Sequence, residues 1–336
     1  MREWRFLSTT AATPWDEPDV TGSALKETES GRKGLGWLLL SFTVLSWGSL
    51  VILLKLILPD IEPLTLTWYR FAVGFILILS FSGRTGMRDL RRAFGRRTVG
   101  WVLVAGSGLT ANYVLFLSGL NYLTPGVSLI VMQVAPYIML AGGVLIFGEA
   151  FASRQWIGVL FLFVGSIFFF NQRYAELQSL SSGYTKGVVL VLASAVGWTA
   201  YLLIQRRLIR DLNARTIVTG CYVIGSLALF PFADLRQVAV LEGGMLLVFA
   251  LAILLTATSH VAFSAALRHI DASKAGLALG NVPIVALIGT AILSPWVDRL
   301  EADGLNIIAI LGALMIVGGT AFAARQAPLT PQENRA

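Results

Sequence analysis

Leu120–Pro136 reads LNYLTPGVSLIVMQVAP and Leu267–Pro283 reads LRHIDASKAGLALGNVP, with Pro136 and Pro283 in register 147 positions apart. Each stretch leads into an apolar segment broken by a central proline. A proline within a helix has no N–H for the carbonyl four residues back, so Met132 and Leu279 carry freed carbonyls. In hydrocarbon, such carbonyls persist only where protein or a wet cavity satisfies them. Paired interruptions at matching places in two halves of a chain point to a solute site between them, with Pro136 and Pro283 as hinges.

The composition agrees with a hydrocarbon setting. Of 336 residues, 56% are hydrophobic and only 13% charged, and the charges fall between long uncharged runs. This is the pattern of an all-α integral membrane protein rather than of soluble domains. The net charge of +7 fits arginines facing an anionic leaflet. Nucleic acid is excluded as a partner, because it would want a basic, aromatic-interleaved face on a soluble domain. One cysteine, Cys221, excludes an intrachain disulfide, and two histidines are too few for a multi-His metal centre. No cofactor is expected. The first 33 residues lack the apolar core of a cleaved signal peptide and read as a disordered cytoplasmic tail.

Ten apolar segments approach the ~20 residues that a spanning helix needs. They run near 34–58, 63–82, 98–120, 125–148, 154–171, 185–206, 214–233, 243–267, 272–295 and 304–324. Twenty Lys and Arg fall on one side of these spans, including Arg84, Arg88, Arg91, Arg92, Arg96 and Arg97. The other side carries five: Lys55, Arg173, Lys186, Arg236 and Arg299. The positive-inside rule then puts both termini in the cytoplasm of a multi-pass inner (plasma) membrane protein.

The repeat extends beyond the proline stretches. At a spacing of 151, Gly36 matches Gly187, Trp47 matches Trp198, Lys55 matches Arg206, Thr65 matches Thr216 and Gly74 matches Gly225. At 147, Val114 matches Val261, Phe116 matches Phe263 and Leu120 matches Leu267. Two five-helix repeats result, 34–171 and 185–324, joined by a linker at 172–184 and followed by a cytoplasmic tail at 325–336. Because five is odd, the second repeat enters from the opposite side, which makes the pair inverted.

The run from Gly119 to Phe169, GLNYLTPGVSLIVMQVAPYIMLAGGVLIFGEAFASRQWIGVLFLFVGSIFF, and the looser copy from Leu267 to Phe322 resemble the drug/metabolite transporter superfamily, specifically its EamA-type exporters. The first copy has that family's small-residue approach, Pro136, the Gly148-Glu149 helix end, then Gln155 and Gly158; the second departs at the Gly-Glu position. Arg70 also matches a position that the family often fills with arginine. The likeness covers roughly 34–324 and implies transport, usually export, of small metabolites such as amino acids.

Arg70 lies about two turns inside the second span, where a charge costs roughly 2.5–3.5 kcal/mol. It shares a small, polar face with Pro63, Thr67 and Gly74. Two readings stand: a fork for a substrate carboxylate, or a pin that snorkels or holds a neighbouring helix. His260, on a face with Thr256 and Phe263, is the repeat mate of Tyr113. Such a histidine either exchanges protons and couples export to a proton gradient, or packs through a hydrogen bond. Trp198 and Tyr201 belong to a stripe with Ser194 and Gln205 that suits either a solute pocket or helix packing. Gln133 shares a face with Pro136.

The expected site is a midplane cavity lined by Arg70, Tyr113, Gln133, Trp198, Tyr201 and His260. The reading is a non-enzymatic secondary transporter that exports a small organic metabolite, an amino acid with a bulky or aromatic side chain being favoured. A broad-specificity drug/metabolite or nucleotide-sugar exchanger is the alternative on the same fold, although a phosphorylated substrate would want more intramembrane cations than Arg70. A lipid scramblase or a non-transport membrane protein is the alternative of another class, and membrane lipid is an expected partner in every case. The spans hold no constellation of carboxylates, histidines or nucleophile for catalysis.

Overall fold

The computed structural model describes residues 20–147, 153–179, 181–266, 269–270, 275 and 278–324. Those residues form helices and connecting turns, with no strand among them. The helices are α1 (Val20–Ile57), α2 (Pro63–Ala93), α3 (Val99–Leu120), α4 (Pro125–Met132), α5 (Ala135–Phe147), α6 (Ser153–Phe169) and α7 (Tyr174–Gln178). They continue as α8 (Gly183–Leu208), α9 (Ala214–Leu229), α10 (Gly243–Ala266), α11 (Val282–Leu293) and α12 (Ile307–Ala324). Seven described segments are long and apolar enough to cross a membrane, and three shorter apolar helices lie at Gln155–Phe169, Val282–Leu293 and Ile307–Phe322. α1 starts at Val20, so a helix enters the first span from the segment read as a flexible tail. The local sequence Ala24-Leu25-Lys26-Glu27 favours that continuation.

The helix ends follow from local chemistry. Pro63 and Pro125 sit in the first turns of α2 and α4, where a missing N–H is harmless. Ser182 and Asn213 cap α8 and α9 by accepting from the amides of Thr185 and Thr216 at 3.0 and 2.8 Å. The outward faces are apolar: Leu38, Leu145, Phe163, Leu227, Leu247 and Ile307 are all exposed. Water would not tolerate so many such side chains, whereas lipid does.

Both proline stretches break their helices rather than merely bending them. α4 ends at Met132, and the chain turns through Gln133-Val134 before α5 begins. The second stretch turns through Gly280-Asn281 before α11. The bonding is parallel: Tyr137 and Ile138 amides donate to Val134 O, and Ile284 and Val285 amides to Asn281 O. The two breaks face each other, with Gln133 Nε2 reaching Gly280 O at 3.5 Å. Pro136 is exposed, whereas Pro283 is buried.

α3 packs along α8 and α1 along α10, while α2 lies against α9 and α6 against α12. Close approaches recur in matched form. A Cβ on Gly36 would fall 2.7 Å from His269 and 2.8 Å from Ile270; on Gly187 it would fall 2.7 Å from Leu123 and 2.9 Å from Tyr122. Gly74 abuts the Tyr222 ring, and Gly225 abuts the Phe71 ring. Gly165 and Gly312 lie against each other's carbonyl oxygens. At those glycines the neighbouring chain comes close, and a side chain there would push it away.

Candidate functional site

α2 carries Arg70 into the bundle, where it is only 5% exposed. Its Nε donates to Thr256 Oγ1 of α10 at 3.1 Å, and that hydroxyl donates back to Ala252 O at 2.8 Å. The guanidinium lies over the Tyr113 ring of α3, 4.4 Å from its centroid. A cation over an aromatic face in a dry setting gains about 2 kcal/mol. Arginine stays charged in proteins, so burial cannot be relieved by losing a proton. Among the described residues no carboxylate lies within ion-pair distance of Arg70, and its Nη groups have no hydrogen-bond partner. The planar fork is therefore free to accept an anion.

A ring of aromatic and imidazole groups surrounds it. Tyr113 Oη lies 3.5 Å from both Tyr222 Oη and His260 Nε2. His260 Nδ1 is 2.8 Å from Thr256 O; a carbonyl only accepts, so this nitrogen carries a proton. In the neutral ring, Nε2 then presents a lone pair toward the Tyr113 hydroxyl. Phe71 stacks on Tyr222 at 4.9 Å and lies 4.8 Å from Tyr113. Trp47 closes the next side: its ring is 5.6 Å from His260, and its Nε1 donates to Ser259 Oγ at 2.9 Å.

Arg70, Tyr113 and His260 are thus brought together in one cluster. Trp198 and Tyr201 pair at 5.4 Å on α8 and pack into the same core as Tyr113, with no hydrogen bond to Arg70. Gln133 is nearly buried and bonds across the helix breaks instead. Pro136 and Pro283 flank those breaks. Gly148 and Glu149 lie outside the described residues. In this conformation Tyr113 roofs the guanidinium, and a cavity of about 530 Å³ lies at the helix ends near Lys55, Thr124 and Tyr184. Tyr113 and Tyr222 each pack against the Phe71 ring beside it.

Tyr222 and Thr256 are the members that sequence reading undervalued. Thr256 was visible on the His260 face, one turn earlier. Tyr222 has a weaker signal: at a spacing of 151 it is the mate of Phe71, so both repeats place an aromatic beside the Arg70 position. Its partner cysteine, Cys221, occupies the position equivalent to Arg70 and is buried.

Comparison with known proteins gives this geometry a context. An "Uncharacterized transporter" of Haemophilus influenzae is 32% identical over 302 residues, covering 89% of this chain and 98% of that protein. The "Uncharacterized inner membrane transporter YhbE" of Escherichia coli K12 is 32% identical over 297 residues, covering 87% and 92%. A crystal structure at 20% identity superposes with a TM-score of 0.58 over 88% of this chain and 96% of the other, a likeness of fold. The model of the EamA-like transporter family matches residues 34–171 and again 185–325. The chain belongs to the EamA-like transporter family and is a multi-pass membrane transporter.

Proposed function

We propose that this transporter exports a small organic metabolite, most simply an amino acid, by alternating access between two inverted five-helix halves at Arg70. The observation that carries this reading is the buried guanidinium itself. It has an aromatic roof, one neutral hydrogen bond and no carboxylate among the described residues. An intramembrane charge kept without a counter-ion is most simply explained by a counter-ion that comes and goes. The aromatic surroundings favour a solute with an apolar or aromatic side chain.

The inverted arrangement is supported by the contacts between sequence mates. Tyr113 meets His260, Gln133 meets Gly280 and Gly165 meets Gly312, each pair 147 residues apart, while Phe71 stacks on its mate Tyr222 at 151. A residue touches its own mate only beside a two-fold axis. The helix pairing is also unchanged when the halves are exchanged: α1 with α10 becomes α8 with α3. Ten crossings then follow if the three shorter apolar helices also span, which leaves both termini on the arginine-rich, cytoplasmic side. Proton coupling through His260 belongs to the same proposal.

Counterflow of labelled amino acids into proteoliposomes tests it. Wild type should exchange at least one of them, and Arg70→Ala should abolish exchange while the purified protein remains monodisperse. Full exchange by Arg70→Ala would remove the guanidinium from the site.

A further inference from the structure

The cavity of about 530 Å³ at the sparsely basic helix ends has a charge arrangement that the Arg70 cluster does not explain. Its volume is in the range of small-molecule sites. Several of its charged groups are already committed. Arg173 pairs with Glu176 at 2.6 Å, Arg299 pairs with Asp60 and also donates to Leu56 O at 3.2 Å, and Asp303 accepts from Thr124. Among the described lining residues Lys55, Asp298, Glu301 and Asp303 have no ion-pair partner, and of these Asp303 is held by Thr124.

Lys55 is the telling member. Its Nζ donates to Leu120 O at 2.8 Å and Asn121 O at 3.2 Å, at the C-terminal end of α3. An ammonium has three N–H groups, so one remains for the cavity. Glu301 interacts with Lys55 electrostatically, yet no nitrogen–oxygen contact of 4 Å or less joins them. Opposite charges held apart across an open space leave room for a bridging molecule. Tyr122, Tyr184 and Phe169 supply apolar walls beside them.

We propose that this cavity is a second binding site, for a zwitterion of amino-acid size: its carboxylate takes the free N–H of Lys55 and its ammonium faces Glu301. This deepens the transport reading and rests on it, with the site placed on the path to or from Arg70. The rival role for Lys55 is a staple on the α3 carbonyls, which needs no ligand.

The test is equilibrium binding of labelled phenylalanine to the full-length protein in detergent, with its methyl ester and its N-acetyl derivative as competitors. Phenylalanine should bind better than either derivative, which lack the free carboxylate and the ammonium respectively. Lys55→Gln retains a donor for the α3 carbonyls; it should weaken phenylalanine about tenfold and erase its advantage over the methyl ester. Glu301→Gln, on an exposed loop, should erase the advantage over the N-acetyl form. Arg70→Ala should leave this pattern in place. No binding of any of the three by wild type, or unchanged preferences in both Lys55→Gln and Glu301→Gln, would overturn the site. Counterflow measured in parallel separates the two proposals, because flux without these preferences sinks only the second site, whereas intact preferences without flux sink only the transport reading.

Discussion

Replacing Arg70 with methionine separates its two readings, because they differ in what the side chain does for stability. The cost of holding the charge is about 2.5–3.5 kcal/mol at the membrane centre. Against it stand about 2 kcal/mol for the cation over Tyr113 and ~1.5 kcal/mol for the hydrogen bond to Thr256. These nearly cancel. Methionine fills similar volume, and Thr256 Oγ1 keeps its bond to Ala252 O, so no buried polar atom is orphaned there. Stability should therefore change by under about 1 kcal/mol, while counterflow falls to background. The chain carries its own reporter of unfolding: Cys221 is its only cysteine and is buried, so a fluorogenic maleimide reacts only as the bundle opens. The expected midpoint lies within ~2–4 °C of wild type. A loss of several kcal/mol, with flux preserved once the protein is stabilised by lower temperature, would make Arg70 a helix pin and refute its role as a solute fork.

Three further outcomes are expected. Gly312→Val should lower stability by about 1–3 kcal/mol, because a side chain there meets Phe169 and the Gly165 carbonyl; Gly318→Ala, which meets nothing within 4 Å inside the last helix, should not lower it. His260→Gln should preserve exchange but remove its response to an imposed pH gradient, and an unaltered response would assign His260 to packing. Burial pushes the Asp303 carboxyl above its ordinary value, against the opposing pull of Thr124, the Val127 amide and Arg173. The folded state then holds that proton more tightly than the unfolded chain, so its contribution to stability is complete below the ordinary carboxylate value and is lost as pH rises through the raised one. Asp303→Asn should flatten that part of the stability–pH curve, measured by thermal unfolding across the acid range.

Helical spacing made the Arg70 cluster legible. Arg70, Tyr113 and His260 were each marked by a polar atom where hydrocarbon would reject one, and Thr256 shared the His260 face. The interruptions at Gln133-Val134 and Gly280-Asn281 were marked by proline, whose missing N–H acts wherever the helix lies. Other features depended on packing that no single helix encodes. Trp198 and Tyr201 form an aromatic stripe, yet such a stripe serves a helix interface as readily as a pocket, and here it packs into the core shared by α3 and α8. Tyr222 was hidden because an aromatic in an apolar span carries little signal of its own. The cavity at the helix ends was hidden for another reason: Lys55, Glu301 and Tyr184 come from a helix end, a loop and a helix start with no shared periodicity.

The tie between Asp303 and Thr124 joins a carboxylate to a hydroxyl, and the position 147 residues before Asp303 is Trp156, which carries no carboxylate. A perfectly duplicated carrier would rest equally often open to either compartment. In the proposed alternating-access cycle, a contact whose chemistry differs between the halves acts as a thermodynamic tilt, setting how much of the population waits on each side before any solute arrives. Under that proposal Asp303 contributes to the resting bias of the cycle rather than to its chemistry.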